Sequence, residues 1–106
     1  MTKVKFLTNS QGIYGFSLYG HSSLDCDDEA GKLVCSAVSS AAYMAANTLV
    51  EIIGDETEAM VDDSFMRVAI LHEVSSESKA VLEGFKLHIS QLSVQYPSNI
   101  KIISEV

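Results

Sequence analysis

The sequence predicts a single α+β domain over residues 1–106, a sandwich of one mainly antiparallel sheet of about five strands and two helices, in the order β-β-α-β-β-α-β. Three observations predict it. The first twenty residues alternate polar and apolar on either side of a turn. Two longer stretches carry apolar residues at helical spacing. Short apolar runs lie between and after those stretches.

The first strand is read at about residues 2–8, with Val4 and Phe6 on one side and Lys3 and Lys5 on the other. Asn9-Ser10-Gln11-Gly12 supplies hairpin-turn chemistry. A second strand follows at about 13–20, with Tyr14, Phe16 and Leu18 on one face, and ends at Gly20-His21. Residues 22–31 read as an acidic loop, in which Asp27 or Asp28 is placed to cap the next helix. Gly31 weakens the first turn of that helix, so a start only at Lys32 is the alternative. The helix runs to about Ile53 and stops at Gly54, with Val34, Val38, Ala41, Ala45, Leu49 and Ile52 as its buried face. Strands follow at 57–61 and 65–72, joined at Asp62-Asp63; Val68-Ala69-Ile70-Leu71 reads as a central strand. Ser75 or Ser76 caps a second helix, about 76–96, whose core face is Val81, Leu82, Phe85, Ile89, Leu92 and Tyr96. Pro97 ends it, and a last strand at about 99–104 carries Ile100 and Ile102.

Composition narrows the function classes. Hydrophobic residues make up 47% of the chain, enough for a core without disulfides or a structural metal. The net charge is −7, and the seven basic residues are scattered, so direct nucleic-acid binding is not expected; a basic protein partner suits this field better. No stretch reaches the eighteen or so apolar residues of a membrane span, and Met1-Thr2-Lys3-Val4-Lys5-Phe6 alternates instead of forming a signal-peptide core. No membrane association is expected, and the expected compartment is the cytoplasm, where both cysteines are reduced.

Chemistry is sought among three histidines and two cysteines. His72 ends a strand and His88 borders a helix face; both read as boundary residues. Cys26 sits among Asp25, Asp27, Asp28 and Glu29, whose charges oppose a thiolate. Cys35 lies one or two turns into a helix, where the helix terminus favours a thiolate and free N–H groups are placed to hold an oxyanion. His21 ends the preceding strand. A strand end and the next helix start share a rim of the sheet, which brings an imidazole base within reach of the thiol. From spacing alone, a small core cysteine is the commoner reading. A metal site built from His21, Cys26 and Cys35 matches no common zinc spacing and lacks a fourth ligand, so neither metal nor cofactor is expected.

Gly20-His21 followed by Leu33-Val34-Cys35-Ser36-Ala37-Val38-Ser39 resembles the ribosomal-processing cysteine protease family, Prp. The length, the N-terminal hairpin and the two helices before a final strand match as well. The resemblance implies a cysteine endopeptidase that removes a short N-terminal extension from the large-subunit ribosomal protein L twenty-seven, working as a homodimer. It implies Cys35 as nucleophile, His21 as general base, Gly20 as the glycine that turns the strand end and Ser39 as a supporting hydroxyl one turn past the cysteine. Back-bonding of Ser39 to a helix carbonyl is the structural alternative. The family usually has an aspartate where this chain has Lys32, so either a loop carboxylate replaces it or the ammonium itself favours a thiolate. A non-catalytic dimeric module that binds a basic ribosomal protein is the competing reading.

Overall fold

A computed structural model describes residues 1–20 and 29–104. Its elements are β1 (Thr2–Asn9), β2 (Gly12–Tyr19), α1 (Glu29–Asn47, continued as a π-helical turn Thr48–Ile53), β3 (Thr57–Val61), β4 (Phe65–Ile70), α2 (Ser76–Gln95) and β5 (Ile100–Ser104). The expected element order is met. The expected caps Asp27 and Asp28 lie outside the described residues.

The strands form one sheet in the order β3-β4-β2-β1-β5. Three neighbouring pairs are antiparallel, and β5 runs parallel to β1, so the sheet is mixed. The helices account for this. Because α1 joins β2 to β3, and α2 joins β4 to β5, each helix carries the chain back across the sheet to a strand of the same direction, past intervening strands. The strand read as central, β4, is interior, but β2 holds the middle of the sheet. Leu71, expected within that strand, lies beyond its end and is exposed.

Strand alternation builds one core face. Val4, Phe6, Phe16, Leu18, Met66, Val68 and Ile70 meet Val34, Val38, Ala42, Leu82, Phe85 and Ile89 from the helices. Phe85 packs against Phe16 with the rings tilted and their centres 4.5 Å apart, and lies edge-on to Phe6 at 5.9 Å. Register shifts between Leu7 and Thr8, whose partners are Gly15 and Ile13. Tyr14 is the extra residue of this bulge, so Ile13 is buried in the core and Tyr14 packs at its margin. Opposite Ala69, Gly15 admits no side chain: a Cβ there would collide with the Val68 carbonyl oxygen and lie 2.8 Å from the Ala69 Cα.

Two features of α1 depart from the sequence reading. It starts at Glu29, so residues 29–31 of the expected loop are helical and Gly31 is a buried helix residue. It also ends in a π turn, in which the Gly54 N–H donates to the Leu49 carbonyl at 3.0 Å. The wider turn advances each residue by a smaller angle, so Ile53 returns to the Leu49 side. Ile52, expected in the core, is rotated out and is 79% exposed. Contrary to the sequence expectation, the helix Glu29–Ile53 is long enough and, over an eighteen-residue window of mean hydropathy 1.4, apolar enough to cross a membrane by length and composition. Its apolar stripe instead packs on the sheet through Val34, Val38, Ala42, Ala45 and Leu49.

Helix α2 is tied at its start to the end of α1. Ser75 is the N-cap and accepts from the Ser78 N–H at 3.2 Å. Asp55 accepts from the Ser78 hydroxyl at 2.6 Å, the Ser75 hydroxyl at 2.7 Å and the Ser75 N–H at 3.3 Å. The hydroxyl bonds from Ser78 and then Ser75 hold the Asp55 carboxyl below its ordinary range.

Candidate active site

Strand β2 ends at the rim of the sheet where β4 begins, and the Gly20 N–H donates to the Ser64 carbonyl at 2.9 Å. Gly20 adopts a φ of 70°, the left-handed region that disfavours a side chain. The glycine that turns the strand end is therefore required by the backbone. The thiol of Cys35 points its weak donor at the Gly20 carbonyl oxygen, 4.0 Å away. His21 and Cys26 lie outside the described residues; His21 is the residue bonded to Gly20 in the chain.

Cys35 is buried, at 4% exposure, yet it lines a cleft of about 440 Å³ with Lys32, Ser36, Ser39, Tyr43, Asp62 and Asp63. The five residues from α1 recur at helical spacing and form one flank of the helix. The two aspartates come from the turn between β3 and β4. That turn is closed by the Asp62 N–H donating to the Phe65 carbonyl at 2.8 Å and by the Asp62 carboxylate accepting from the Ser64 N–H at 3.0 Å.

The early start of α1 changes the electrostatics of Cys35. With α1 described from Glu29, Cys35 sits in the second turn of the helix. Its own N–H belongs to the helical ladder, so the expected oxyanion donors at the helix start are not at the cysteine. The helix-terminus effect fades within the first turn. Lys32 supplies the positive charge nearest in the cleft, one turn before Cys35. Ser39 lines the same cleft one turn after it.

A larger apolar cleft, about 690 Å³, lies between α1 and α2 and is lined by Ala37, Ala41, Met44, Val81, Gly84 and His88 among others. It holds no cysteine, so its size does not make it the chemical site. His88 on its wall is exposed, and His72 is exposed with its Nε2 2.7 Å from a Glu56 carboxylate oxygen; both are boundary residues, as read from the sequence. Among the described residues, no group of three His, Cys, Asp or Glu side chains is arranged to hold a metal ion.

The family model described as Cysteine protease Prp matches residues 1–101. The chain belongs to the cysteine protease Prp family. It is therefore a hydrolase of the cysteine protease class, which overrules the reading as a non-catalytic module. Among solved structures, the chain is similar to the essential ribosomal processing protease Prp from S. aureus in complex with a substrate peptide, at TM-score 0.90 and 15% identity, covering 99% of this chain and 100% of that one. It is similar to SMU.848 from Streptococcus mutans at TM-score 0.84 and 20% identity, covering 99% of each. The S. aureus protease with a covalently linked product peptide matches at TM-score 0.83 and 17% identity, over 99% of this chain and 100% of that one. At these identities the likeness establishes the fold. No curated protein matches the chain.

The sequence reading singled out Gly20, Cys35, Ser39 and Lys32, and the structure brings all four to one rim. It missed Tyr43, Asp62 and Asp63. Tyr43 stands two turns beyond Cys35, a spacing that pointed to it. The aspartates carried no local signal, because only the pairing of β3 with β4 turns them towards α1.

Proposed function

We propose that this Prp-family protease removes the N-terminal extension of the ribosomal protein L twenty-seven, with Cys35 as nucleophile and His21 as general base. The contact between the Cys35 thiol and the Gly20 carbonyl carries the reading, because His21 follows Gly20 directly in the chain. A thiolate gains nothing from a carbonyl oxygen, so this contact favours the resting thiol, and attack needs a base to remove its proton.

In the proposed reaction His21 takes the thiol proton as the sulfur attacks the scissile carbonyl carbon. The tetrahedral intermediate collapses, and the imidazolium returns that proton to the leaving amine. The thioester is then hydrolysed by water, with His21 as base, which releases the extension as a carboxylic acid and restores the thiol. Lys32 favours the thiolate during attack, and Ser39 supports the site from one turn away. The net charge of −7 suits a basic ribosomal protein, and a ribosomal substrate implies a cytoplasmic enzyme. The S. aureus relative described as a ribosomal processing protease supports the substrate class.

The reading includes a homodimer. Exposed Met44 on the wall of the cleft between α1 and α2, together with exposed Ile52 and Leu87 on the helices, supports it, since such side chains gain from a second copy. Sedimentation equilibrium tests this, and a monomer at all concentrations would remove it. The deciding experiment for the substrate incubates purified protein with a peptide spanning the extension junction and reads the products by mass spectrometry. Cleavage at the junction that disappears in Cys35→Ala and in His21→Ala supports the proposal. Cleavage undiminished in Cys35→Ala ends it.

A further inference from the structure

Strand β3 is an edge strand: it pairs with β4, and no described strand pairs with its other side. Its hydrogen-bond phase is set at both ends. The Leu71 N–H donates to the Glu56 carbonyl at 2.9 Å, and the Asp62 N–H donates to the Phe65 carbonyl at 2.8 Å. Even-numbered residues thus turn their backbone groups to β4. By strand alternation, the N–H and C=O groups of Thr57, Ala59 and Val61 face away from the sheet. Natural edges are commonly blocked by proline, lysine or a bulge. This one reads Thr-Glu-Ala-Met-Val, with no proline or lysine; its one charge, Glu58, lies on the opposite face from Ala59 and Val61 and pairs with Arg67 of β4 at 3.4 Å.

The side chains of Ala59 and Val61 point to the core face of the sheet. Ala59 stands opposite Val68 and Val61 opposite Met66, both of which are fully buried. Ala59 and Val61 are nevertheless exposed, Val61 at 53%, because the helical layer does not extend over β3. They form an open apolar shelf on the core side of the sheet. At the end of the shelf the chain enters Asp62-Asp63, which share their cleft with Cys35.

From this arrangement we infer that the outer edge of β3 is the substrate track of the protease. An extended peptide adds to β3 as a further strand, and the Asp62-Asp63 turn takes a basic side chain next to the scissile bond. The inference rests on the reading of Cys35 as the attacking residue. A protease must hold its substrate extended, and an unpaired edge supplies backbone partners for an extended chain regardless of sequence. The shelf of Ala59 and Val61 receives an apolar side chain. Specificity for charge comes from the two carboxylates. Lys32 in the same cleft answers at most one of them, so the cleft keeps a net negative charge.

The test uses junction peptides in pairs that differ by lysine or glutamine at one position, moved along the chain. The wild-type protein is expected to prefer the lysine peptide by about tenfold in kcat/KM at one position near the cut. In Asp62→Asn/Asp63→Asn that preference falls to near unity. Asp63→Asn alone, which keeps the Asp62 bond to Ser64, is the second variant should the double variant not fold, and it is expected to lose part of the preference. In Cys35→Ala protein saturated with the junction peptide, hydrogen exchange at the Ala59 and Val61 amides is expected to slow by about tenfold. An unchanged lysine preference in a folded variant, or unchanged exchange at both amides in the bound complex, overturns the inference. A wild-type protein that leaves every junction peptide uncut tells instead against the ribosomal substrate.

Discussion

The sulfur of Cys35 lies 4.0 Å from the carbonyl oxygen of Gly20, although fifteen positions of chain separate the two residues. The last turn of β2 and the second turn of α1 therefore meet at one point on the rim of the sheet. The chemistry and much of the expected mutational behaviour depend on that meeting.

Cys35→Ala and His21→Ala are expected to abolish peptide cleavage while leaving the fold intact. Cys35 is small, so its truncation is expected to cost about 1 kcal/mol, within the range for minor core deletions. A thermal melt alongside the cleavage assay separates loss of chemistry from loss of fold.

Gly20→Ala places a Cβ on a residue at φ 70° and is expected to cost about 1–2 kcal/mol. Activity is expected to fall further than stability, because the carbonyl beside Cys35 moves with the backbone. A urea midpoint and a cleavage rate measured on the same preparation check the two effects. Gly15→Ala, far from the cleft, is expected to cost about 3 kcal/mol by forcing β2 and β4 apart.

The π turn makes a sharp prediction about two apolar residues three positions apart. Leu49 is fully buried, and Leu49→Ala is expected to cost about 3 kcal/mol. Ile52→Ser is expected to change stability by only about 0.5 kcal/mol. Equal losses in chemical denaturation would show an α-helical end to α1 instead.

Asp55 links stability to pH. Its carboxyl is held below the ordinary value of 3.8 by bonds from Ser78 and Ser75. A group with a depressed folded-state pKa stabilises fully above its unfolded value and loses that contribution as pH falls through the folded one. The gap in urea midpoint between wild type and Asp55→Asn is therefore expected to be constant near neutral pH and to close below about pH 4. Ser75→Ala, which removes the cap of α2, is expected to cost about 1 kcal/mol.

The alternation of Val4 and Phe6 with lysines, and the stripe Leu82, Phe85 and Ile89, determined which faces are buried, because burying apolar area is a local requirement on each element. Whereas the resemblance to the Prp family singled out Gly20, Cys35 and Ser39, the same kind of local reading found the helix stop at Gly54. It misplaced the start of α1, where Gly31 packs inside a helix despite its low propensity, and it misplaced Ile52, since a change of helical pitch leaves little mark on composition. The sequence by itself thus determined the element order, the core stripes and the family motif around Cys35. Tertiary structure alone decided that β5 runs parallel to β1, that the outer side of β3 is unpaired among the described strands and that Asp62 and Asp63 share the cleft of Cys35. Those facts depend on strand order and helix crossover, which join residues far apart in the chain and have no signature within any one segment.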